Sequence, residues 1–205
     1  MVENRRRKRA ANTDPADEEF YAASVKFQIT DFFPVRRSAR KTGKTLQEEK
    51  EKDVLHRIEN PEIYEKDLII KDFGPKGRGI VAPVDYKRND FVVEYKGELI
   101  SIPEAERREQ RYSQDERIGS YMYYFKRKGH HYCVDATAET PYKGRLVNHS
   151  FLNPNLHTKV VEAPNNKFYL CLFAKRAIKA GDELLYDYGD HSPKAVANNP
   201  WIIVT

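Results

Sequence analysis

Two short motifs in the C-terminal half of the chain carry residue types that can do chemistry on a bound ligand. Asn148 and His149 form the first motif, and Tyr186 and Tyr188 belong to the second, further along the chain. An Asn-His pair on a chain turn offers amide and backbone groups to an adenosine. Tyrosines two apart on an extended segment point to the same face, so this pair can wall a narrow channel for a lysine side chain.

Short strands must position these motifs. From Asp67 onward the sequence alternates between short apolar runs and turn residues, a pattern typical of a mostly β domain. The predicted strands cover residues 68–73, 79–82, 91–95, 121–125, 132–136, 168–173 and 183–188. Ser101 and Glu104 have the spacing of a capping box and open a charged run, so one inserted helix is predicted through Arg111. A last turn or helix is predicted near residues 192–198.

The N-terminal region is basic and poor in clustered apolar residues. Residues 1–45 cannot offset the entropy of ordering a chain, so we predict a disordered basic arm. Its run Arg5–Arg9 is interpreted first as a nuclear import signal, with a contact to nucleosomal DNA or a solvated charge run as alternatives. Residues 46–65 follow as a linker helix. Its thin apolar stripe consists of Leu46, Val54, Leu55 and Ile58.

Composition bounds the class of protein. The 205 residues carry a net charge of +5 and 40% of them are hydrophobic, which fits one globular domain with a tail. Cys133 and Cys171 lack the spacing of a zinc site, so we expect free thiols in a reducing compartment and no metal. We find no apolar run of membrane-spanning length and no secretory signal, so no membrane contact is expected. A nuclear or cytosolic protein follows.

Six motifs follow one another in a specific order between residues 76 and 189. They are Lys76-Gly-Arg-Gly79, Glu94-Tyr95-x-Gly97-Glu98, Tyr121-Met-Tyr-Tyr-Phe125, Asp135-Ala-Thr137, Asn148-His149-Ser150 and Gly181-Asp-Glu-Leu-Leu-Tyr-Asp-Tyr-Gly189. On these motifs, residues 66–205 resemble the SET family of lysine methyltransferases. The resemblance implies short strands in several small sheets, a knot-like C-terminal crossing and a C-terminal helix. Many members have a cysteine-rich zinc segment where this chain has Asp190 to Trp201, so a zinc-free closure is implied.

Two further stretches resemble one subgroup of that family. The tail from Tyr188 to Trp201 and the arm from Ile29 to Arg37 are similar to the metazoan enzymes that add one methyl to lysine twenty of histone four. This similarity implies a monomeric enzyme of the nucleus and chromosome that acts on the histone-four tail in nucleosomes. The alternatives are a SET enzyme with another histone or non-histone lysine as substrate, and a catalytically weak chromatin-binding module. Such a module should lack Asn148 or Tyr188.

The resemblance also implies roles for single residues. S-adenosylmethionine would be contacted by Lys76, Gly77, Arg78, Tyr121, Asn148 and His149, with Trp201 packing over the adenine. Tyr188 would be the central catalytic tyrosine, Tyr95 and Tyr186 would wall the channel with it, and the Tyr186 hydroxyl would restrict the product to monomethyl-lysine. Ordinary strand aromatics, and a metal-binding or acid–base role for the histidine, are the alternative interpretations.

Acidic residues of the same region suit a basic peptide substrate. Asp190, beside the tyrosines, is the best candidate for binding a substrate Arg or His, with a solvated residue after a turn as the alternative. Ser120 is a second candidate for substrate binding. Further acidic groups come from Asp187, Glu98 and Asp135.

A separate motif lies in the predicted arm. Its aliphatic and aromatic residues have the spacing of a motif that docks on the DNA sliding clamp, proliferating cell nuclear antigen, with Lys26 where such motifs usually begin with Gln. The threonine, aspartate and distal arginine resemble the version that recruits a cullin-4 ubiquitin ligase. The residues concerned are Ile29, Thr30, Asp31, Phe32, Phe33 and Arg37. A chance aromatic cluster is the alternative interpretation.

Overall fold

The structure, a computed structural model, describes residues 40–115, 118–119 and 121–188. The described residues from Gly43 onward belong to one compact unit. The predicted arm with its clamp motif and the predicted C-terminal helix lie outside the described residues, apart from the last few residues of the arm. Ser120, Asp190 and Trp201 lie outside them as well.

The described chain contains three α-helices and ten short strands. The helices are α1 (Gly43–Glu59), α2 (Pro61–Tyr64) and α3 (Ile102–Tyr112). The strands are β1 (Ile69–Asp72), β2 (Arg78–Val81), β3 (Phe91–Glu94), β4 (Glu98–Ile100), β5 (Met122–Arg127), β6 (His130–Asp135), β7 (Asn148–His149), β8 (Leu156–Glu162), β9 (Phe168–Ala174) and β10 (Leu185–Tyr186). No helix in this part of the chain is long and apolar enough to span a bilayer.

The strands form four small sheets, which confirms the predicted mostly β fold. Strands β1 and β2 pair antiparallel, as do the strands of the two three-stranded sheets, β3–β9–β8 and β4–β6–β5. The fourth sheet consists of β7 and β10, which run parallel. This pairing brings the two motifs with candidate chemistry together, although a long stretch of sequence separates them.

Strand β9 lies at the centre of the fold, and both of its faces are buried. Leu170 and Leu172 belong to the main core, whereas Cys171 and Phe173 pack in a second cluster beneath α1. Because side chains alternate between the two faces of a strand, a strand covered on both sides needs a continuous apolar run. The sequence from Phe168 to Ala174 has such a run, and the prediction of this strand is confirmed.

Helix α1 covers the second cluster with the C-terminal half of its apolar stripe. Ile58 is buried there, and Val54 and Leu55 pack partly buried against Phe91 and its neighbours. Leu46, at the other end of the stripe, is 46% exposed. The predicted linker helix is thus divided into α1, which ends at Glu59, and the short α2, which begins at Pro61, and less than half of the length of α1 contacts the sheet.

The inserted helix α3 begins after Ser101, as its sequence predicts, although the Ser101 side chain makes no capping hydrogen bond. A proline in the first turn suits that position because its missing N–H would have no partner in a helix. Arg108 fastens the helix to the sheet by ion pairs to Glu98 and Asp135, at 2.7 and 2.9 Å.

The sequence analysis did not predict strand β8. Only Leu156 of its seven residues is buried. Lys159, in the middle of the strand, is exposed, whereas a fully buried strand would have an apolar residue there. Strand β8 is an edge strand, and its seven pairs with β9 hold it in place. Such pairing is set by the partner strand, so the local pattern of apolar residues gives little indication of it.

The segment that leads into Asn148 is held from two sides. The Lys143 ammonium donates hydrogen bonds to the backbone carbonyls of Glu65, Lys66 and Leu68 at 2.6–2.9 Å. A Cβ on Gly144 would collide with the backbone of strand β3. The hydrogen bonds of Lys143 and the close backbone contact at Gly144 together fix the position of the segment that leads to Asn148.

Candidate active site

Four tyrosines from three parts of the fold converge at one place. Tyr95 follows β3, Tyr123 lies on β5, and Tyr186 and Tyr188 belong to β10 and the segment after it. The rings of Tyr95, Tyr123 and Tyr186 stand 6.0–6.1 Å apart, centroid to centroid, and the rings of Tyr186 and Tyr188 stand 4.7 Å apart. The three predicted channel residues are thus neighbours, and Tyr123 joins them.

Burial keeps the hydroxyls of this tyrosine cluster protonated. It raises the pKa of Tyr95, Tyr186 and Tyr188 far above the ordinary value, and the neighbouring tyrosines raise the pKa of Tyr186 further. The rings of Tyr95 and Tyr186 meet edge to face. At neutral pH these hydroxyls are therefore neutral hydrogen-bonding groups and cannot act as strong bases.

The parallel pair of β7 and β10 sets the tyrosines beside the Asn-His motif. Tyr186 is the register partner of His149. The backbone N–H of Tyr188 donates to Nδ1 of His149 at 3.0 Å, and the Tyr188 hydroxyl donates to the Val147 carbonyl at 3.1 Å. Because Nδ1 accepts a hydrogen bond, the imidazole carries its proton on Nε2 and is neutral. His149, which is fully buried, thus helps to hold Tyr188 in position.

This arrangement differs from the turn that the sequence suggested for Asn148 and His149. The two residues form a short strand, since they pair with β10 instead of reversing the chain. Their buried position is set by the distant strand. The metal-binding alternative for His149 is disfavoured because its Nδ1 atom already accepts the backbone N–H of Tyr188.

A polar cluster lies next to this pair. The Asn148 amide donates to one carboxylate oxygen of Glu183 at 2.9 Å, and the Lys76 ammonium lies 3.4 Å from the other. Gly77, beside Lys76, has a φ of +73°, a conformation that favours glycine. A Cβ on Gly79 would collide with the Asn148 amide and with the ring of Phe73. Gly79 therefore lets the Asn148 side chain pack directly against β2, and Gly77 permits the turn that precedes this strand.

Tyr121 is held by a buried cation. The guanidinium carbon of Arg145 lies 3.9 Å from the centre of the Tyr121 ring, a cation–π geometry. Arg145 also donates from Nε to the Ala136 carbonyl at 2.6 Å, and it shares the Glu139 carboxylate with Arg78. Arg78 and Tyr121, both predicted to contact the cofactor, are thus linked through Arg145. Arg145 shares Glu139 with Arg78 and lies over the Tyr121 ring.

Comparison with known proteins identifies the family of this fold. The profile of the SET domain matches residues 77–189, which include all four tyrosines and the Asn-His pair. The chain belongs to the SET family of protein-lysine methyltransferases. Over 183 residues it is 48% identical to histone-lysine N-methyltransferase set-1 of Caenorhabditis elegans, covering 87% of this chain and 73% of that protein.

Other relatives of this SET domain are longer proteins. Histone-lysine N-methyltransferase Set8 of Drosophila melanogaster is 49% identical over 177 residues, covering 85% of this chain and 25% of that protein. N-lysine methyltransferase KMT5A of Xenopus tropicalis is 46% identical over 177 residues, and the chain spans 51% of its length. A crystal structure of SET8 from Cryptosporidium has a TM-score of 0.62 and 34% identity, covering 91% of this chain and 85% of that one.

Two of the acidic groups expected to face a basic substrate are used inside the SET domain. Asp135 accepts hydrogen bonds from Arg108, from the Tyr112 hydroxyl and from the Thr137 backbone N–H. Glu98 is paired with the same arginine. Their negative charge is offset by α3, which leaves Asp187, between the two tyrosines, as the described acidic group to consider for the substrate.

Sequence reasoning gave no role to three residues that organise the site. Glu183 joins Lys76 to Asn148, Arg145 holds Tyr121, and Tyr123 stands between the rings of Tyr95 and Tyr186. All three occur within or beside the motifs that the sequence analysis quoted. The sequence pattern could have indicated Tyr123. It lies two residues after Tyr121, which directly precedes β5, so in extended chain the two side chains point to the same face.

A buried carboxyl next to Tyr95 should make stability depend on pH. Burial raises the pKa of Glu94 from 4.5 to about 7, with Lys96 acting against this shift and Glu65 adding to it. Since the folded state then holds a proton that the unfolded state has lost, stability should fall as the pH rises from about 4.5 to about 7. We expect Glu94→Gln to remove most of this loss, about 3 kcal/mol.

Chemical denaturation at pH 5 and pH 8 measures this effect as the change in free energy of unfolding. The exposed helix residue Glu62 provides the control, because Glu62→Gln should leave the pH dependence of the parent intact. Equal pH dependence in Glu94→Gln and in the parent would contradict the prediction.

Proposed function

We propose that this SET domain transfers a single methyl group from S-adenosylmethionine to lysine twenty of histone four in nucleosomes. The observation that carries the proposal is the pairing of β7 with β10, which sets Tyr186 and Tyr188 beside Asn148 and His149. The names of its relatives as histone-lysine methyltransferases support a histone substrate. The lysine and the number of methyl groups come from the resemblance of the tail and arm to one subgroup.

The polar cluster at Asn148 suits S-adenosylmethionine. Gly79 lets the Asn148 amide pack directly against β2, and Glu183 places a carboxylate beside that amide donor. A nucleoside with a cationic amino-acid part can bind to both the donors and the acceptors of such a cluster. The residues proposed to hold it are Lys76, Gly77, Arg78, Tyr121, Asn148 and His149, with Trp201, which lies outside the described residues. When bound, the cofactor supplies a methyl group on a positively charged sulfur.

The tyrosine cluster is proposed to receive the substrate lysine. A lysine amine has a pKa near 10.4 in water, so it must lose a proton before its nitrogen can attack. An environment poor in water favours the neutral amine, and aromatic walls align its straight side chain. Tyr95, Tyr186 and Tyr188 form these walls, with Tyr123 as a fourth member. Positioning and environment, and not a strong base, then supply most of the rate.

Two residues proposed for peptide recognition, Asp190 and Ser120, lie outside the described residues and stay predictions. Asp187, which is partly exposed beside Tyr186, supports a basic peptide at this end of the channel. A histone tail is such a peptide, and charge complementarity would help to select it.

Mass spectrometry of nucleosomes incubated with the protein and S-adenosylmethionine tests the proposal. We expect one added methyl group on lysine twenty of histone four, and none on nucleosomes whose lysine twenty is replaced by arginine. Methylation of another lysine would support the alternative of a SET enzyme with a different substrate. Cofactor binding without any methyl transfer would support the chromatin-binding module instead.

The arm is proposed to dock on the DNA sliding clamp and to recruit a cullin-4 ubiquitin ligase there, through Ile29, Thr30, Asp31, Phe32, Phe33 and Arg37. Together with the basic run Arg5–Arg9, this activity fits a protein of the nucleus and chromosome. Docked aromatic side chains commonly contribute about 2 kcal/mol or more each. We therefore expect Phe32→Ala or Phe33→Ala to weaken clamp binding about 30-fold each, and the double substitution to weaken it about 1000-fold.

Calorimetry with the purified clamp and a peptide of residues 26–37 measures this change. Phe27→Ala is the matched control, since it removes an aromatic ring outside the spaced set and should change the affinity little. A loss from Phe27→Ala equal to that from Phe32→Ala would favour a chance aromatic cluster.

A further inference from the structure

Three exposed cations lie together at one edge of the β3–β9–β8 sheet. Arg88 belongs to the turn before β3, Lys159 lies on β8, and Lys175 follows β9. All three act on one half-buried residue of β8, because the pKa of His157 is lowered first by burial and then by the charges of these cations. We call Arg88, Lys159 and Lys175 the basic edge.

Backbone hydrogen bonds fix the three segments that carry the basic edge. The N–H of Asn89 donates to the Ala174 carbonyl at 2.8 Å, and the N–H of Ala174 donates to the Asp90 carbonyl at 2.9 Å. The N–H of Lys175 donates to the Asn155 carbonyl at 2.8 Å. The cations thus stand on a rigid support, and a ligand needs to order only their side chains.

The three cations of the basic edge form no ion pair with the described residues, unlike some exposed cations of this part of the chain. Lys44, Arg107 and Lys179 each have a carboxylate within ion-pair distance. Within residues 40–115, 118–119 and 121–188, no such pair involves Arg88, Lys159 or Lys175. The carboxylate at the far end of β8, Glu162, is held by Arg127 and Lys128. No carboxylate of the described residues therefore lies within ion-pair distance of the basic edge, although Glu48 and Glu51 of α1 line the same groove as Lys159.

The spacing of these cations matches a regular polyanion. Lys175 lies opposite Asn155, four residues before Lys159 on β8, so the two lysines stand about 13 Å apart along the strand. Duplex DNA offers a phosphate about every 3.4 Å of its axis on each strand, so a row of this length meets several charges.

A protein partner fits this edge less well. Protein interfaces are usually anchored by exposed aromatic or aliphatic side chains at their centre. None of the exposed large hydrophobic residues among the described part of the chain belongs to the Lys87–Asp90 turn, to β8 or to β9. The basic edge thus offers cationic side chains without an apolar anchor, which suits a phosphate backbone.

We infer that the basic edge binds the phosphate backbone of duplex DNA. This contact stands apart from the tyrosine cluster and does not depend on the proposed methyl transfer. Phosphate contacts bind without reading sequence, so the edge would hold and orient the protein on DNA. Since each neutralised phosphate releases counterions, the affinity should fall steeply with salt.

The full chain and a triple variant, Arg88→Gln with Lys159→Gln and Lys175→Gln, test this inference. The affinity for a short duplex of mixed sequence is measured by fluorescence anisotropy at several salt concentrations. We expect the slope of log affinity against log salt to become shallower by about 2 to 3, from a loss of about 0.9 for each phosphate contact. The matched control replaces Lys44, Arg107 and Lys179 by glutamine, which removes the same net charge from cations that already have carboxylate partners.

Equal changes in both triple variants would overturn the inference, because net charge alone would then explain the binding. An unchanged slope in the first variant would overturn it too and assign DNA binding to other residues, such as the arm. Selective loss of binding to poly-glutamate, with DNA binding intact, would point to an acidic protein partner instead.

A second measurement needs no substitution. Phosphate charges at the basic edge should raise the pKa of His157, because they favour the protonated imidazole. Glu48 and Glu51 of α1 line the same groove as His157, and DNA leaves their charge unchanged. NMR titration of the His157 ring with and without duplex should show the increase. No change in the presence of saturating DNA would exclude phosphate binding at this edge.

Discussion

Tyr188→Phe should abolish most methyl transfer and leave binding of S-adenosylmethionine nearly intact. The hydroxyl of Tyr188 donates to the Val147 carbonyl at 3.1 Å, and its backbone N–H donates to His149 at 3.0 Å. Both bonds hold the hydroxyl at one point beside Tyr186. Loss of a fixed hydrogen-bonding group at a reacting centre commonly costs about 100-fold or more in turnover.

Single-turnover kinetics and calorimetry separate the two parts of this prediction. The first reports the chemical step, and the second reports cofactor affinity. Tyr124→Phe is the matched control, since Tyr124 lies on β5 next to Tyr123 but points away from the cluster and is 42% exposed. Turnover equal to that of the parent would remove Tyr188 from the mechanism.

Folding should be affected far less than turnover. The phenyl ring introduced by Tyr188→Phe would fill the same space as the parent ring, so no cavity forms. The Val147 carbonyl loses one donor, which should lower the free energy of unfolding by about 1 kcal/mol. A thermal melt alongside the kinetics checks that lost activity does not come from an unfolded protein.

Tyr186→Phe should turn a monomethyl product into a dimethyl product. The Tyr186 side chain is buried and its ring packs edge to face on the ring of Tyr95. We propose that its hydroxyl holds the substrate amine, or a water molecule, in the space that a second methyl group needs. Removing this hydroxyl empties that space while the aromatic wall remains. With excess cofactor, dimethyl-lysine should become the main product of the variant.

Intact-mass spectrometry of a histone-four tail peptide distinguishes one from two added methyl groups. Tyr95→Phe is the informative comparison, because it removes the hydroxyl of the neighbouring ring but keeps the Tyr186 hydroxyl. It should still yield the monomethyl product. A Tyr186→Phe enzyme that adds only one methyl group would contradict the account of product restriction by this hydroxyl.

The local elements of this fold could largely be predicted from the sequence. The continuous apolar run of β9, the helix start after Ser101 and the apolar stripe of α1 each follow the periodicity or end signals of a single element, so their patterns are visible in one stretch of chain. The order of the motifs likewise identified the family, and with it the candidate channel tyrosines Tyr95, Tyr186 and Tyr188.

Only the tertiary structure decided how these pieces meet. The contact of Lys76 with Glu183 joins residues 107 positions apart, and the parallel pair of β7 and β10 turned an expected turn at Asn148 into a strand. The cation–π contact of Arg145 with Tyr121 and the pairing of edge strand β8 arise in the same way. Such contacts depend on the packing of distant segments, which leaves no periodic signal in the sequence of either partner. The sequence by itself determined which residue types are available for chemistry, whereas packing determined which of them became neighbours.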